Sequence, residues 1–441
     1  MCTGNYYDNF KGREMNIAII ADDLTGACDT GVQLVNYGID ASVIIQNNKN
    51  TTSQATIYNT DSRAFEKKQA YEQVSEVIKT IEINELDILY KKIDSTMRGN
   101  IGSELNAIYD QFQPDFVLIN PAHPNNGRIV RDGIHYLNEV PLSETEVAKD
   151  PKTPVNESNI AKLVQQSSNK PVKHISYELL RKDKSSLLNV LADWKKQGIH
   201  YITIDTIVEE DLNRTLQLIN SDYSFVLCGS AGLINYVPKK YGYEIALYQS
   251  NSLIHSSPAL FVIGSISERG RLQLDHLLEN TDVVGVEIST MEILKGGRNK
   301  KQEINRIYSK IILAFNEKKS CAFYSSNNVE KTKDIGLELG ISNIEISNII
   351  SNELGNIATE MINENNLTNL FLTGGDTAQQ VFTKLGIGSY KLIGELELGV
   401  PIGEIDSQVP IHIMTKAGNF GTTNVMTKAY NYFQNKASLQ V

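Results

Sequence analysis

Residues 17–35 read IAIIADDLTGACDTGVQLV. Five apolar residues, Ile17 to Ala21, run straight into Asp22-Asp23. Thr25 and Gly26 follow. Ala27, Gly31, Leu34, Val35 and Gly38 then recur at i, i+4, i+7, i+8 and i+11, the spacing of one helix face. The stretch predicts a buried strand, a tight turn, and a helix that Gly38 stops. In an open parallel sheet, ligands bind beyond the carboxyl ends of the strands, which is where the two carboxylates fall. Helix capping, for which Asp is favoured, accounts for one of them but not for two in a row.

The same alternation continues outward. Ala41–Gln46, Ala55–Asn59, Asp87–Ile93 and Phe116–Asn120 read as strands, with helices predicted over 66–81 and 101–111. Residues 131–158 break the rhythm with three prolines and little periodicity, and read as an extended excursion with a hairpin. Strands return at Pro171–Ile175, Tyr201–Ile204 and Phe225–Cys228. Polar residues and a fresh strand, Ala259–Ile263, place a linker at 238–257. The second half repeats the pattern, with helices over 268–278, 303–317 and 345–365, up to the strand Ile411–Thr415 and a final helix over 424–434. The expected fold is α/β with two domains, each a mostly parallel sheet flanked by helices: an extension at 1–14, a first domain at 15–237 and a second at 258–441.

Composition narrows the function. The 441 residues are 41% hydrophobic and 21% charged, as in a globular protein. The formal charge, 42 − 52 = −10, disfavours nucleic-acid or acidic-membrane binding. Cys2, Cys28, Cys228 and Cys321 are far apart and form no CxxC pair, which fits a reducing cytoplasm. No run of 18 apolar residues suggests a membrane helix.

Polar groups gather at predicted strand ends. In the first half these are Asp22 and Asp23; Asp61 and Arg63; Lys91, Lys92, Asp94, Ser95 and Arg98; and Asn125, Asn126 and Arg128. On neighbouring strands they form a rim suited to a small hydroxylated anion, since Arg pairs with carboxylates and Asp and Asn bond hydroxyls. In the second half, glycine turns fall between strand and helix at Gly264-Ser265, Gly374-Gly375-Asp376-Thr377 and Gly418-Asn419-Phe420-Gly421. Such turns bring backbone N–H groups and helix N-termini to phosphate. No Walker P-loop, G-x-G-x-x-G, D-x-D or H-E-x-x-H motif is present.

Taken in order, the chain from Met15 onward resembles the four-carbon acid sugar kinase family. The resemblance rests on ADDLTGACDTGVQ (21–33), NTDSRAF (59–65), YKKIDSTMRGNIGSEL (90–105), PAHPNNGR (121–128), VPLSETEVAKDPKTPV (140–155), CGSAGL (228–233), GSIS (264–267), TGGDTA (373–378) and KAGNFG (416–421). It implies an ATP-dependent kinase for threonate, erythronate or oxo-tetronate. It also implies an acid-sugar domain, a nucleotide domain and catalysis in the cleft between them. Substrate contacts would fall on Asp22 or Asp23, Arg63 and the Lys91–Ser95 stretch; nucleotide contacts on Ser265, Gly374, Gly375, Asp376, Thr377 and Gly418. Related sequences often carry Glu at 376 and a second Gly at 419, where this chain has Asp376 and Asn419.

On this reading Arg63, helped by Lys92, holds the substrate carboxylate, and Asp94 and Ser95 fix hydroxyls. Asp23 or Asp22 accepts the proton of the attacking hydroxyl, expected to be the terminal O4. Mg²⁺ bridges the phosphates, with Asp376 orienting it through water. A sugar-acid-binding regulator, and a phosphatase or aldolase acting on the phosphorylated acid, are the rival readings. The stereoisomer, the choice between the two aspartates and the oligomeric state, a homodimer included, are not fixed by the sequence.

Overall fold

The structure is a computed structural model that describes residues 14–46, 51–150, 152–220, 222–246, 257–264, 267–325, 328–405, 410–418 and 420–435. The chain divides into two compact units, Met1–Ala246 and Leu247–Val441.

In the first unit the strands are β1 (Ile17–Ala21), β2 (Ala41–Ile44), β3 (Ala55–Asn59), β4 (Ile88–Lys92), β5 (Phe116–Asn120), β6 (Arg128–Arg131), β7 (Ile134–Leu137), β8 (Val140–Pro141), β9 (Val172–Ile175), β10 (Tyr201–Ile204) and β11 (Phe225–Gly229). Eight of them form a parallel sheet in the order β2-β3-β1-β4-β11-β5-β10-β9. All five residues of β1 are buried, as expected of a strand covered on both faces. Each such Ile contributes roughly 1.5–3 kcal/mol through burial. From β1 the chain builds β2 and β3 on one side and then crosses to β4 on the other, so a topological switch lies beside β1.

Helix Leu24–Val35 starts at the capping side chain of Asp23 and ends before Gly38, whose φ of +74° turns the chain out. The excursion after β5 is a three-stranded antiparallel sheet, β6-β7-β8. Part of the segment read as a linker belongs to this unit. Val237–Lys240 is helical, the Tyr243 hydroxyl accepts from the Met15 N–H at 3.3 Å, and the Ala246 N–H donates to Asn36 O at 3.0 Å. The rest of that segment, 247–256, and residues 1–13 of the expected extension lie outside the described residues.

The second unit contains β12 (Ala259–Ile263), β13 (Val284–Ile288), β14 (Cys321–Ser325), β15 (Asn369–Thr373), β16 (Ser389–Glu397), β17 (Val400–Ile405) and β18 (Ile411–Lys416). Its strands run β13-β14-β12-β15-β18-β17-β16. The first five are parallel, and β17 and β16 add an antiparallel edge. The sequence assigns no element to the β16–β17 hairpin. It also places the start of helix Gly297–Asn316 at 303 and overlooks helix Val329–Glu338.

Candidate active site

β1, β3 and β4 end level with one another, because Ala21 pairs with Asn59 on one side and with Lys92 on the other. The loop after β3 is tied to the end of β1 by the Thr60 N–H on Ala21 O (2.9 Å) and the Arg63 N–H on Asp22 O (3.2 Å). This delivers the Arg63 guanidinium to the acidic pair. Nε and Nη2 donate to the two oxygens of Asp22 at 2.9 and 3.0 Å, and Nη2 also reaches Asp23 Oδ1 at 2.5 Å. Asp94 Oδ1 lies 3.8 Å from Nη1. Arg98 makes a second fork, donating to both oxygens of Asp94 at 2.9 and 3.0 Å and to Asp150 at 3.1 Å.

The electrostatics follow from these pairs. Burial alone would raise the Asp22 carboxyl, but Arg63, with Lys91 and Lys92, outweighs it and holds the group below the ordinary carboxylate range. Burial also opposes ionisation of Asp94, and Arg98 and Arg63 pull it well below. Asp29, one turn beyond Gly26, is different. Burial pushes its carboxyl up to about 6 against the pull of Lys92, with Asp23 adding to the rise.

The two aspartates at the end of β1 therefore have separate roles. Asp22 is spent entirely on Arg63. Asp23 Oδ1 caps the helix by accepting the Gly26 N–H at 3.0 Å, so the capping reading holds for it. Asp23 Oδ2 makes no hydrogen bond among the described residues.

The adjacent lysines of β4 also diverge. Lys91 is fully buried and pairs with Glu104 at 2.7 Å, while Ser62 donates to the other Glu104 oxygen at 2.5 Å. Its ammonium also donates to Lys92 O at 2.9 Å. Lys91 thus holds helix Ile101–Phe112 to the sheet and is not brought to the rim. Lys92 emerges on the other face beside Gly26. A methyl group built on Gly26 would lie 2.6 Å from Lys92 Nζ and 2.5 Å from Asp23 Oδ1. Although Lys92 is only 4% exposed, its ammonium has no hydrogen-bond or ion-pair partner among the described residues.

Ser95 is half-buried, and its backbone carbonyl accepts from His135 Nε2 at 2.9 Å. That bond fastens the β6-β7-β8 sheet onto the Asp94–Arg98 turn. Glu104, Asp150 and Asp29 join the cluster without having been singled out in the sequence. Glu104 follows Lys91 within one quoted motif, but nothing local states that they pair.

In the second unit the ends of β12, β15 and β18 adjoin through Ile263–Thr373 and Thr373–Lys416. Gly264 and Gly374 leave the sheet together, donating to Thr373 O at 3.0 Å and Lys416 O at 3.1 Å. A side chain on Gly264 would overlap Thr377, whose Oγ1 lies 1.9 Å from the built Cβ. Helix Gly375–Lys384 starts at Gly374, which has φ +97° and no side chain to cap the first-turn amides. Such a start favours an anion.

The neighbouring loop is pinned by its carbonyls. Lys416 Nζ donates to Ala417 O and Gly418 O at 2.9 and 3.0 Å, and Ser267 Oγ to Gly418 O at 3.0 Å. Gln273 bonds the carbonyls of Phe420, Gly421 and Thr422 at 3.0, 3.1 and 3.0 Å. Burial, with nearby Arg269, lowers the Lys416 ammonium to about 8. Gly375, Asp376 and Thr377 form the first turn beside this loop, with Asp376 exposed. Ser265 and Asn419 lie outside the described residues. Among the described residues no group of three or more His, Cys, Asp or Glu is placed to hold a metal ion, and no helix is long and apolar enough to cross a membrane.

Fold and sites define a two-part protein. Residues 17–237 match a family described as a sugar-binding N-terminal domain, and residues 260–426 one described as a nucleotide-binding C-terminal domain. The D-threonate kinase of Salmonella typhimurium is 32% identical over 431 residues, covering 95% of this chain and 99% of that protein. The D-erythronate kinase of Heliobacterium modesticaldum is 26% identical over 440 residues, covering 96% and 98%. The Haemophilus influenzae protein HI1011 shares the fold, with a TM-score of 0.73 at 23% identity over 94% of this chain and 100% of that one. The chain belongs to this family of four-carbon acid sugar kinases, and it is an enzyme.

Proposed function

We propose that the protein transfers the γ-phosphoryl group of ATP to the terminal O4 hydroxyl of a four-carbon sugar acid of the threonate, erythronate or 3-oxo-tetronate type. The observation that carries the reading is that Lys92 Nζ and the Asp23 carboxylate both face Gly26, where among the described residues the ammonium has no partner and Asp23 Oδ2 accepts no hydrogen bond. A cation and a proton acceptor side by side are what a hydroxyl attacking a phosphoryl group requires.

Asp23 is the better base of the acidic pair. Both oxygens of Asp22 are held by Arg63, which depresses its proton affinity. Asp23 keeps one oxygen for the substrate while the other is fixed by Gly26 and Arg63. As the O4–P bond forms and the bridge to ADP breaks, the hydroxyl proton passes to Asp23 Oδ2. The leaving electron pair goes with ADP, and Lys92 balances negative charge on the transferring group. Proton transfer is late in a loose transition state, so a carboxylate suffices. The Ser95 hydroxyl serves a substrate hydroxyl, and Asp94 positions that turn through Arg98.

The uncapped helix start at Gly374 and the turn at Gly418 would take the phosphates of ATP. Exposed Asp376, in the first turn of that helix, would help hold a Mg²⁺ ion arriving with ATP. The metal, when bound, neutralises phosphate charge. Direct transfer requires the two ligands to meet, so the working state brings the acid against the γ-phosphate.

The test is Asp23→Asn, since Asn also caps helices and leaves the fold intact. Turnover should fall roughly 100-fold or more with little change in the KM for the acid. Near-normal turnover in the folded variant would remove Asp23 as the base.

A further inference from the structure

We propose that Lys416 and Gln273 are positioning residues of the nucleotide site: by holding the carbonyls of loop 417–422 they turn its N–H groups to the phosphates. The inference rests on the kinase reading, from which it takes only that a nucleotide binds at the glycine turns.

The loop is held from its carbonyl side. Lys416 Nζ donates to Ala417 O and Gly418 O at 2.9 and 3.0 Å, and Ser267 Oγ adds a bond to Gly418 O at 3.0 Å. The Gln273 amide donates to Phe420 O, Gly421 O and Thr422 O at 3.0, 3.1 and 3.0 Å. The far end is tied to Glu397, which accepts the Thr422 N–H at 2.9 Å and its hydroxyl at 2.8 Å. Lys416 ends β18 and Gln273 lies on helix Glu268–Asn280; both are buried, so they act from behind the loop.

Peptide geometry fixes the consequence. In a trans peptide unit the C=O and the N–H point in opposite directions, and there is no cis bond among the described residues. Drawing Ala417 O and Phe420 O inward therefore turns the N–H groups of Gly418 and Gly421 outward. Neither N–H has an acceptor among the described residues. Uncommitted N–H groups on a fixed loop are what receives phosphate oxygens.

The charge points the same way. Among the described residues no carboxylate lies within ion-pair distance of the buried Lys416 ammonium. Its third contact is the Thr373 hydroxyl at 3.5 Å. A buried cation with no anion set against it is costly, and a polyphosphate supplies the missing charge. Because its donors already have acceptors, Lys416 acts through the loop rather than as a phosphate ligand. Its backbone O also accepts the Gly374 N–H at 3.1 Å, so this one residue ties the two glycine turns together.

The experiment is a ligand-observed NMR titration, without acid, of ADP and of adenosine, which keeps the base and ribose but carries no phosphate. Wild type should prefer ADP by roughly 100-fold, and Lys416→Met and Gln273→Met should each weaken ADP roughly 10-fold or more while leaving adenosine within about twofold. Gln273 is neutral and fully buried, so a matching loss there reports the loop and not a lost charge, and either variant serves if the other fails to fold. The double variant should lose much less than the product of the two single losses, since both act on one loop. In transfer assays the KM for ATP should rise by a similar factor, with the KM for the acid unchanged. Equal losses for ADP and adenosine, an unchanged ADP affinity in either variant, or single losses that multiply in the double variant would overturn the assignment. A wild type with no preference for ADP over adenosine would overturn it together with the nucleotide site. Preserved discrimination with no transfer to any acid would leave Lys416 and Gln273 in place and remove the kinase reading instead.

Discussion

A strand sends successive side chains to opposite faces, so Lys91 and Lys92 at the end of β4 separate. Lys91 goes under helix Ile101–Phe112 to Glu104, and Lys92 goes to Gly26. Removing one partner of a fully buried pair strands the other charge. Lys91→Met should therefore cost about 3–5 kcal/mol in urea unfolding. Adding Glu104→Gln should recover much of that loss, and additive losses would show that the pair is not the unit.

Histidines at this scale set an acid limit. Burial lowers His135 to about 4, and His123 likewise, so the native state resists protons that the unfolded chain takes up near 6.5. Stability is full above pH 6.5 and falls as pH drops toward about 4. Asp29, raised to about 6, acts in the opposite sense below that pH. The urea midpoint should be lower at pH 5 than at pH 7, and His135→Gln, which can still donate to Ser95 O, should flatten the difference. An equal drop in the variant would assign the acid sensitivity elsewhere. Asp22, Asp23, Arg63 and Asp94 are legible in the sequence because strand ends place them. The partners Glu104 and Asp150 are not, because which helix or loop packs over which strand is a long-range outcome.

Among elements, the strand–turn–helix units of both halves are legible because the hydrophobic period switches sharply at each turn. The β16–β17 hairpin hides for physical reasons. Register shifts between Leu392 and Gly394 and between Glu395 and Glu397 break the two-residue alternation, and Pro401 argues against a central strand. Helix Gly297–Asn316 opens on two glycines with positive φ, the cap Gly296 and the first residue Gly297, which mask its start. The glycine turn at Gly374 makes a sharper claim. At φ +97° and ψ 120° a side chain is strained. Gly374→Ala should lose about 1–3 kcal/mol of stability and raise the KM for ATP at least severalfold, with the affinity for the acid unchanged. A variant that binds ATP normally would take this helix start out of the nucleotide site.

For the whole molecule, the sequence conveys that there are two α/β units and which chemistry each carries, because the clusters of opposite character fall in separate halves. It does not convey the stereochemistry of the acid, which depends on the placement of single hydroxyl partners. We propose that these halves serve one reaction: ATP on the glycine turns, acid on the Asp23–Lys92 edge, phosphate on O4. Phosphorus-31 NMR of the protein incubated with ATP, Mg²⁺ and each tetronate or its oxo form reads all three together. A new phosphomonoester signal, split into a triplet by the two protons on C4 and accompanied by equimolar ADP, is the predicted result. ADP without any ester, or no reaction with any of these acids by folded protein, would contradict it.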